Sequence, residues 1–89
     1  MTVRKRALVS GRVQGVFYRD TCRRTASEHG VAGSAENLSS GDVEVVLEGP
    51  KDAVDEVLAW CREGTSGSRV ESVDVTDEEP QDLKGFRIL

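Results

Sequence analysis

The chain has 89 residues, a formal net charge of −4, 37% hydrophobic residues and 31% charged ones. A polypeptide of this length buries only about 60–65% of its unfolded surface, so residues 1–89 form one small domain around one core. No apolar run approaches the ~18 residues of a membrane span and no charged-then-apolar leader opens the chain, so the expectation is a cytoplasmic protein without membrane contact.

Residues 4–10 alternate around Ala7, Leu8 and Val9, a short strand that runs into the Gly-containing stretch Gly11–Arg19. From about Arg19 to His29 the spacing of Phe17, Cys22, Thr25 or Ala26 and His29 is helical, with Asp20 in the first turn and Gly30 as the C-cap. Residues 31–38 are small and β-tolerant. Ser39–Asp42 makes a turn into the strand Val43–Leu47, giving a hairpin. Gly49-Pro50 opens a second helix whose apolar stripe is Ala53, Val54, Val57, Leu58 and Cys61, and Gly64 stops it. Val70, Val73 and Val75 mark a further strand, Asp77–Asp82 an acidic turn, and Gly85–Leu89 a short last strand. The order βαββαβ predicts an α+β, ferredoxin-like sandwich: two helices on one face of a mainly antiparallel sheet, with a short C-terminal fifth strand.

Charge is unevenly spread. Residues 1–24 carry seven basic side chains against Asp20 alone, and the remainder carries five against fifteen acids. The basic first quarter can draw an anionic ligand to its loop, while Arg4–Arg6 read alternatively as a solvated strand end. The acidic balance and the absence of aromatics on the central strands disfavour nucleic acid as a partner.

Between the first strand and the first helix, main-chain N–H groups can curl into an anion-binding nest, and Arg19 at the junction offers a planar fork suited to phosphate. The loop is neither a Walker loop nor a dinucleotide fingerprint. Gly11 and Gly15 alone do not distinguish it from an ordinary connection. The run Val9-Ser10-Gly11-Arg12-Val13-Gln14-Gly15-Val16-Phe17-Tyr18-Arg19 resembles the acylphosphatase signature V-x-G-x-V-Q-G-V-x-[FY]-R at every fixed position. The resemblance extends to Asn37-Leu38 before a turn and a Val-rich strand, to Glu48-Gly49-Pro50, and to the closing Gly85-Phe86-x-Ile88. The family's usual G-[WY]-V-[RK]-N stands here as Gly33-Ser34-Ala35-Glu36-Asn37.

The resemblance implies hydrolysis of the carboxyl-phosphate bond of small acyl phosphates, with Arg19 and Asn37 as the catalytic pair. Gly11, Arg12, Val13, Gln14, Gly15, Val16, Phe17 and Tyr18 form the substrate-binding loop. By local pattern alone Asn37 reads as a turn residue, and its company with Arg19 reverses that preference. No cofactor and no metal are expected. The partners are a small acyl phosphate and inorganic phosphate, and the expected state is a monomer. A phosphocysteine route fails by spacing: six positions after Cys22 and Cys61 stand Glu28 and Gly67, not arginine. Both cysteines read as small core residues, His29 as a helix-end residue, and Trp60 as a packing residue without an aromatic neighbour. The alternative reading is a catalytically silent anion-binding or small-ligand regulatory module of the same fold.

Overall fold

The computed structural model describes residues 1–89 as strands β1 (Thr2–Arg12), β2 (Ala32–Asn37), β3 (Val43–Pro50), β4 (Arg69–Glu78) and β5 (Phe86–Ile88), with helices α1 (Tyr18–Glu28) and α2 (Lys51–Glu63). The sheet order is β4-β1-β3-β2-β5. All neighbours are antiparallel except β2 and β5, which run parallel. This is the βαββαβ sandwich with a short fifth strand.

Alternation decides which face the helices cover. Ala7 and Val9 on β1, Val43, Val45 and Leu47 on β3 and Ala35 on β2 are fully buried. They meet Tyr18, Cys22 and Ala26 of α1 and Val54, Val57, Leu58 and Cys61 of α2 in one cluster of 15 residues. Burying each such valine or leucine contributes about 1.5–3 kcal/mol. Gly30, at φ 68, ends α1 in the left-handed region, and the Val31 N–H donates back to the Ala26 carbonyl at 2.8 Å.

The first helix is shifted by one residue from its expected phase. Phe17 precedes α1 at φ 61 and is 80% exposed, while Tyr18 takes the core position. The Tyr18 hydroxyl donates to the Cys61 carbonyl at 2.7 Å. Trp60 does have an aromatic neighbour, since its ring centroid lies 4.9 Å from that of Tyr18.

β1 is longer than expected at both ends, and each extension has a cause. At its C-terminal end the β1–β4 register shifts between Ser10 and Gly11, and Gly11 adopts φ 123. A Cβ there would strike the Arg69 carbonyl oxygen. Gly11 is thus a bulge glycine that lets β4 approach. At the other end, Arg4–Arg6 are no solvated strand end. Arg4 is only 7% exposed and pairs with Glu48 at 3.5 Å and Glu78 at 2.9 Å. Arg6 binds Glu44 and Glu78, each at 2.6 Å, and Lys5 binds Asp77 at 3.1 Å. Asp77 and Glu78 therefore close β4 rather than open a turn. The basic stretch is spent on cross-strand partners, so it does not project a field toward the loop.

Glu48, 4% exposed, is the buried member of this lattice. Burial pushes its carboxyl up, but the Gln81 and Leu83 N–H groups, donating at 2.8 Å each, and the Arg4 guanidinium bring it below its ordinary value. The same two bonds hold the crossing from β4 to β5.

The Glu78 carboxyl, hydrogen-bonded by Arg6 and Arg4, is held down at about 2. In the unfolded chain it titrates near its ordinary value of about 4.3. Its contribution is complete above that value and disappears as pH falls through about 2. Glu78→Gln should lower the melting temperature at pH 7, and the gap to wild type should close between pH 4.3 and about 2 in a thermal-melt series. A gap that stays constant over this range would show that the Glu78 charge does not stabilise the sheet.

Candidate active site

The loop between β1 and α1 is held by its carbonyls and side chains, which leaves its amides free. The Gln14 amide donates to the main-chain oxygens of Leu38 at 2.8 Å and Asp42 at 2.9 Å, clipping the loop to the turn after β2. The Thr65 hydroxyl donates to the Val16 carbonyl at 2.9 Å from the segment after α2. No main-chain N–H from Gln14 through Asp20 donates to a protein acceptor. Seven successive donors therefore line the loop and the uncapped first turn of α1. That is the arrangement that binds anions at helix N-termini.

Beside this loop lies an open cleft of about 290 Å³ lined by Val13, Gly15, Phe17, Tyr18, Arg19, Asp20, Asn37 and Ile88. Arg19 and Asn37 thus come together, although 18 positions separate them in the chain. Arg19 Nη1 donates to the main-chain oxygen of Leu89 at 2.8 Å, which leaves four guanidinium N–H donors. Asn37 ends β2 on the helix-covered face, opposite Val43, and its Oδ1 is buried without a hydrogen-bond partner. Asp20 shares its charge with Arg23 at 2.9 Å and Arg24 at 3.7 Å.

The other loop residues divide by role. Val13 is a buried floor residue and Gly15, at φ 73, leaves open space on the cleft wall. Gln14 and Val16 act as anchors from outside the cleft. Gly11 and Arg12 lie within β1 and line no part of it; Arg12 stands opposite Arg69 on β4. Ser34 and Glu36 alternate with Ala35 and Asn37, so both point to the open face of the sheet, away from the cleft. The family's usual residues at those positions therefore have no bearing on the cleft wall.

Asp20, Ile88, Thr65 and Leu89 were not among the site residues read from the sequence. The closing Gly85-Phe86-x-Ile88 could have pointed to Ile88, but nothing local marks Thr65 or the Leu89 carbonyl.

No cluster of three or more His, Cys, Asp or Glu side chains has metal-binding geometry. The Cys22 thiol, hydrogen-bonded to Cys61 and buried, is pushed above the ordinary thiol range. Neither cysteine lines the cleft.

A family model described as acylphosphatase matches residues 5–88. The chain is 46% identical over 86 residues to the acylphosphatase of Natronomonas pharaonis, covering 97% of this chain and 94% of that one. It is 51% identical over 89 residues to the acylphosphatase of Rubrobacter xylanophilus, covering 98% and 80%. The solved structure of an acylphosphatase from Coxiella burnetii matches with a TM-score of 0.94 at 35% identity, over 99% of this chain and 93% of that one. The acylphosphatase of Bacillus subtilis gives 0.93 at 31%, over 100% and 99%. A match that takes in every strand and helix, with relatives of one description aligned almost end to end, leaves one conclusion: the chain belongs to the acylphosphatase family of hydrolases.

Proposed function

We propose that the cleft hydrolyses acyl phosphates to a carboxylate and inorganic phosphate by direct attack of water on phosphorus. The observation that carries the reading is the buried, partnerless Oδ1 of Asn37, a residue lining the cleft beside a loop whose seven successive N–H groups have no protein acceptor. A buried acceptor without a donor costs about 1–3 kcal/mol, a cost that a bound water would relieve.

The phosphate sits in the nest of amides from Gln14 to Asp20, with Arg19 supplying the charged fork. Asn37 Oδ1 accepts a hydrogen bond from the attacking water and orients it. Asparagine is no base at neutral pH, so the water proton passes to a phosphate oxygen. The P–O bond to the acyl group breaks as the water–phosphorus bond forms, and the electron pair leaves on the carboxylate. The parent acid has a pKa of about 4, so this leaving group needs no proton and the site needs no general acid. Charge on the equatorial oxygens is stabilised by donors already in place. This mechanism uses neither metal nor thiol. The outer face of the sheet carries ion pairs, which supports a single domain working as a monomer.

Release of phosphate from acetyl phosphate by the purified protein, against an Arg19→Ala control, separates an enzyme from a silent anion binder. Arg19→Lys keeps the charge but loses the fork, and turnover should fall at least tenfold. Activity within about threefold of wild type would remove Arg19 from the clamp role.

Asn37→Ala should lower kcat by about 10²-fold while inorganic phosphate competes with nearly unchanged affinity. Weak phosphate competition with kcat preserved would make Asn37 a binding residue instead. Chelators, and thiol reagents applied to the folded protein, should leave the rate unchanged. Inhibition by a chelator, with circular dichroism unaltered, would require a metal in the reaction.

A further inference from the structure

Phe17 combines a backbone conformation that favours glycine with an apolar ring that the core does not use. Its backbone sits at φ 61, ψ 23, a conformation that glycine adopts without strain and a phenylalanine does not. Its ring is 80% exposed and belongs neither to the core cluster nor to the side chains packed against it. Gly15, two residues earlier, shows what the same loop does where only the backbone conformation matters. The ring at position 17 therefore answers to the cleft it lines, not to the core.

Ile88 completes the apolar part of that wall. It is 37% exposed, and the parallel pairing of β5 with β2 sets it beside Ala35, on the helix-covered face that also carries Asn37. In an in-line displacement the leaving group departs opposite the attacking water. With water on the buried Asn37 oxygen, the carboxylate leaves outward, toward the mouth where Phe17 and Ile88 are exposed.

We propose that Phe17 and Ile88 form an acyl subsite, selecting acyl phosphates with an apolar aryl or branched aliphatic body over those with a small one. This rests on the reaction proposed above, and it assigns the acyl half of the substrate that the nest and Arg19 do not touch. Apolar contacts remote from phosphorus hold the substrate in line and raise kcat/KM without altering the chemistry.

The test compares cyclohexanecarbonyl phosphate with acetyl phosphate, whose parent acids are of nearly equal strength, so the ratio of their kcat/KM values reports contact with the acyl body. Wild type should favour the cyclohexanecarbonyl substrate by about tenfold or more. Phe17→Ala, Phe17→Gly and Ile88→Ala should each reduce that ratio by about threefold to tenfold. Phe17→Gly relieves the backbone strain and Phe17→Ala does not, so equal ratios in the two variants assign the effect to the ring. A change in the loop that disturbs only phosphate binding affects both substrates alike and leaves the ratio unmoved.

A wild-type ratio near one, or a ratio within twofold of wild type in both Phe17→Ala and Ile88→Ala, overturns the subsite while leaving the hydrolase reading intact. Failure of wild type to hydrolyse either substrate overturns that underlying reading, and the subsite with it. A dimer that dissociates on Phe17→Ala, with the ratio unchanged, would assign the apolar mouth to a second copy of the chain instead.

Discussion

The site depends on one constraint: the main chain from Gln14 to Asp20 must keep its N–H groups without an internal acceptor. A loop free to relax would turn those donors onto nearby carbonyls, because unpaired main-chain groups cost free energy wherever water is scarce. What prevents this is that each neighbouring group is already committed. Gln14 grips the β2–β3 turn through two bonds, Val16 offers its carbonyl to Thr65, and Tyr18 bonds the last turn of α2. The loop is thus held from three sides by parts of the chain that are distant in sequence. Each anchor is a neutral hydrogen bond worth about 1 kcal/mol, so rigidity comes from their number and direction rather than from a single strong contact.

A second chain of contacts reaches Arg19 from the opposite end of the molecule. Glu48 captures two amides of the β4–β5 crossing, the crossing delivers β5 to the edge of β2, and the residue after β5 offers its carbonyl to Arg19. The Leu89 N–H donates to Ala35 at 2.9 Å, which fixes the position of that carbonyl. The buried carboxylate is tolerable because Arg4 and two N–H donors outweigh its desolvation. A buried charge with fewer partners would have been neutralised instead. The arginines near the N-terminus thus contribute to the site through the sheet, not through a long-range field.

The periodic parts of the fold were legible because their causes are local. The apolar stripe of α2, the alternation of β3 and the stopping glycines Gly30 and Gly64 all depend on neighbours within a few residues. The misread positions share the opposite property. Arg4 and Arg6 looked solvated because their acidic partners stand 38 to 74 residues away in sequence. Gly11 could belong to a nest or a bulge, and only the approach of Arg69 on β4 decides between them. Phe17 and Tyr18 are adjacent aromatics, and the left-handed residue before α1 turns the helix so that the second faces inward. Arg19 was legible from its place at the loop-helix junction, whereas Asn37 as its partner came from the resemblance to a family. Periodicity alone would have left Asn37 as a turn residue, since nothing local reveals that its oxygen lacks a partner.

Electrostatics in the cleft divide between fixed dipoles and the charges of Arg19 and Asp20. A phosphate dianion could be held by several cations, but strong ground-state attraction of that kind lowers KM without lowering the barrier. Amides in a fixed loop act differently. They carry partial charge, they need no reorganisation as the transition state forms, and they can follow the spread of charge onto the equatorial oxygens. Arg19 holds a full charge at one defined position because one of its five N–H donors is already bound to Leu89, and in the proposed reaction this would reduce the rotamer entropy lost on binding. Asp20, with its charge shared by Arg23 and Arg24, can then stand on the same wall without cancelling Arg19. In the proposed reaction a carboxylate leaving group would make such a spare site sufficient: the departing oxygen bears its negative charge without help, so the protein would have only to bind the phosphate, orient one water and leave the exit open.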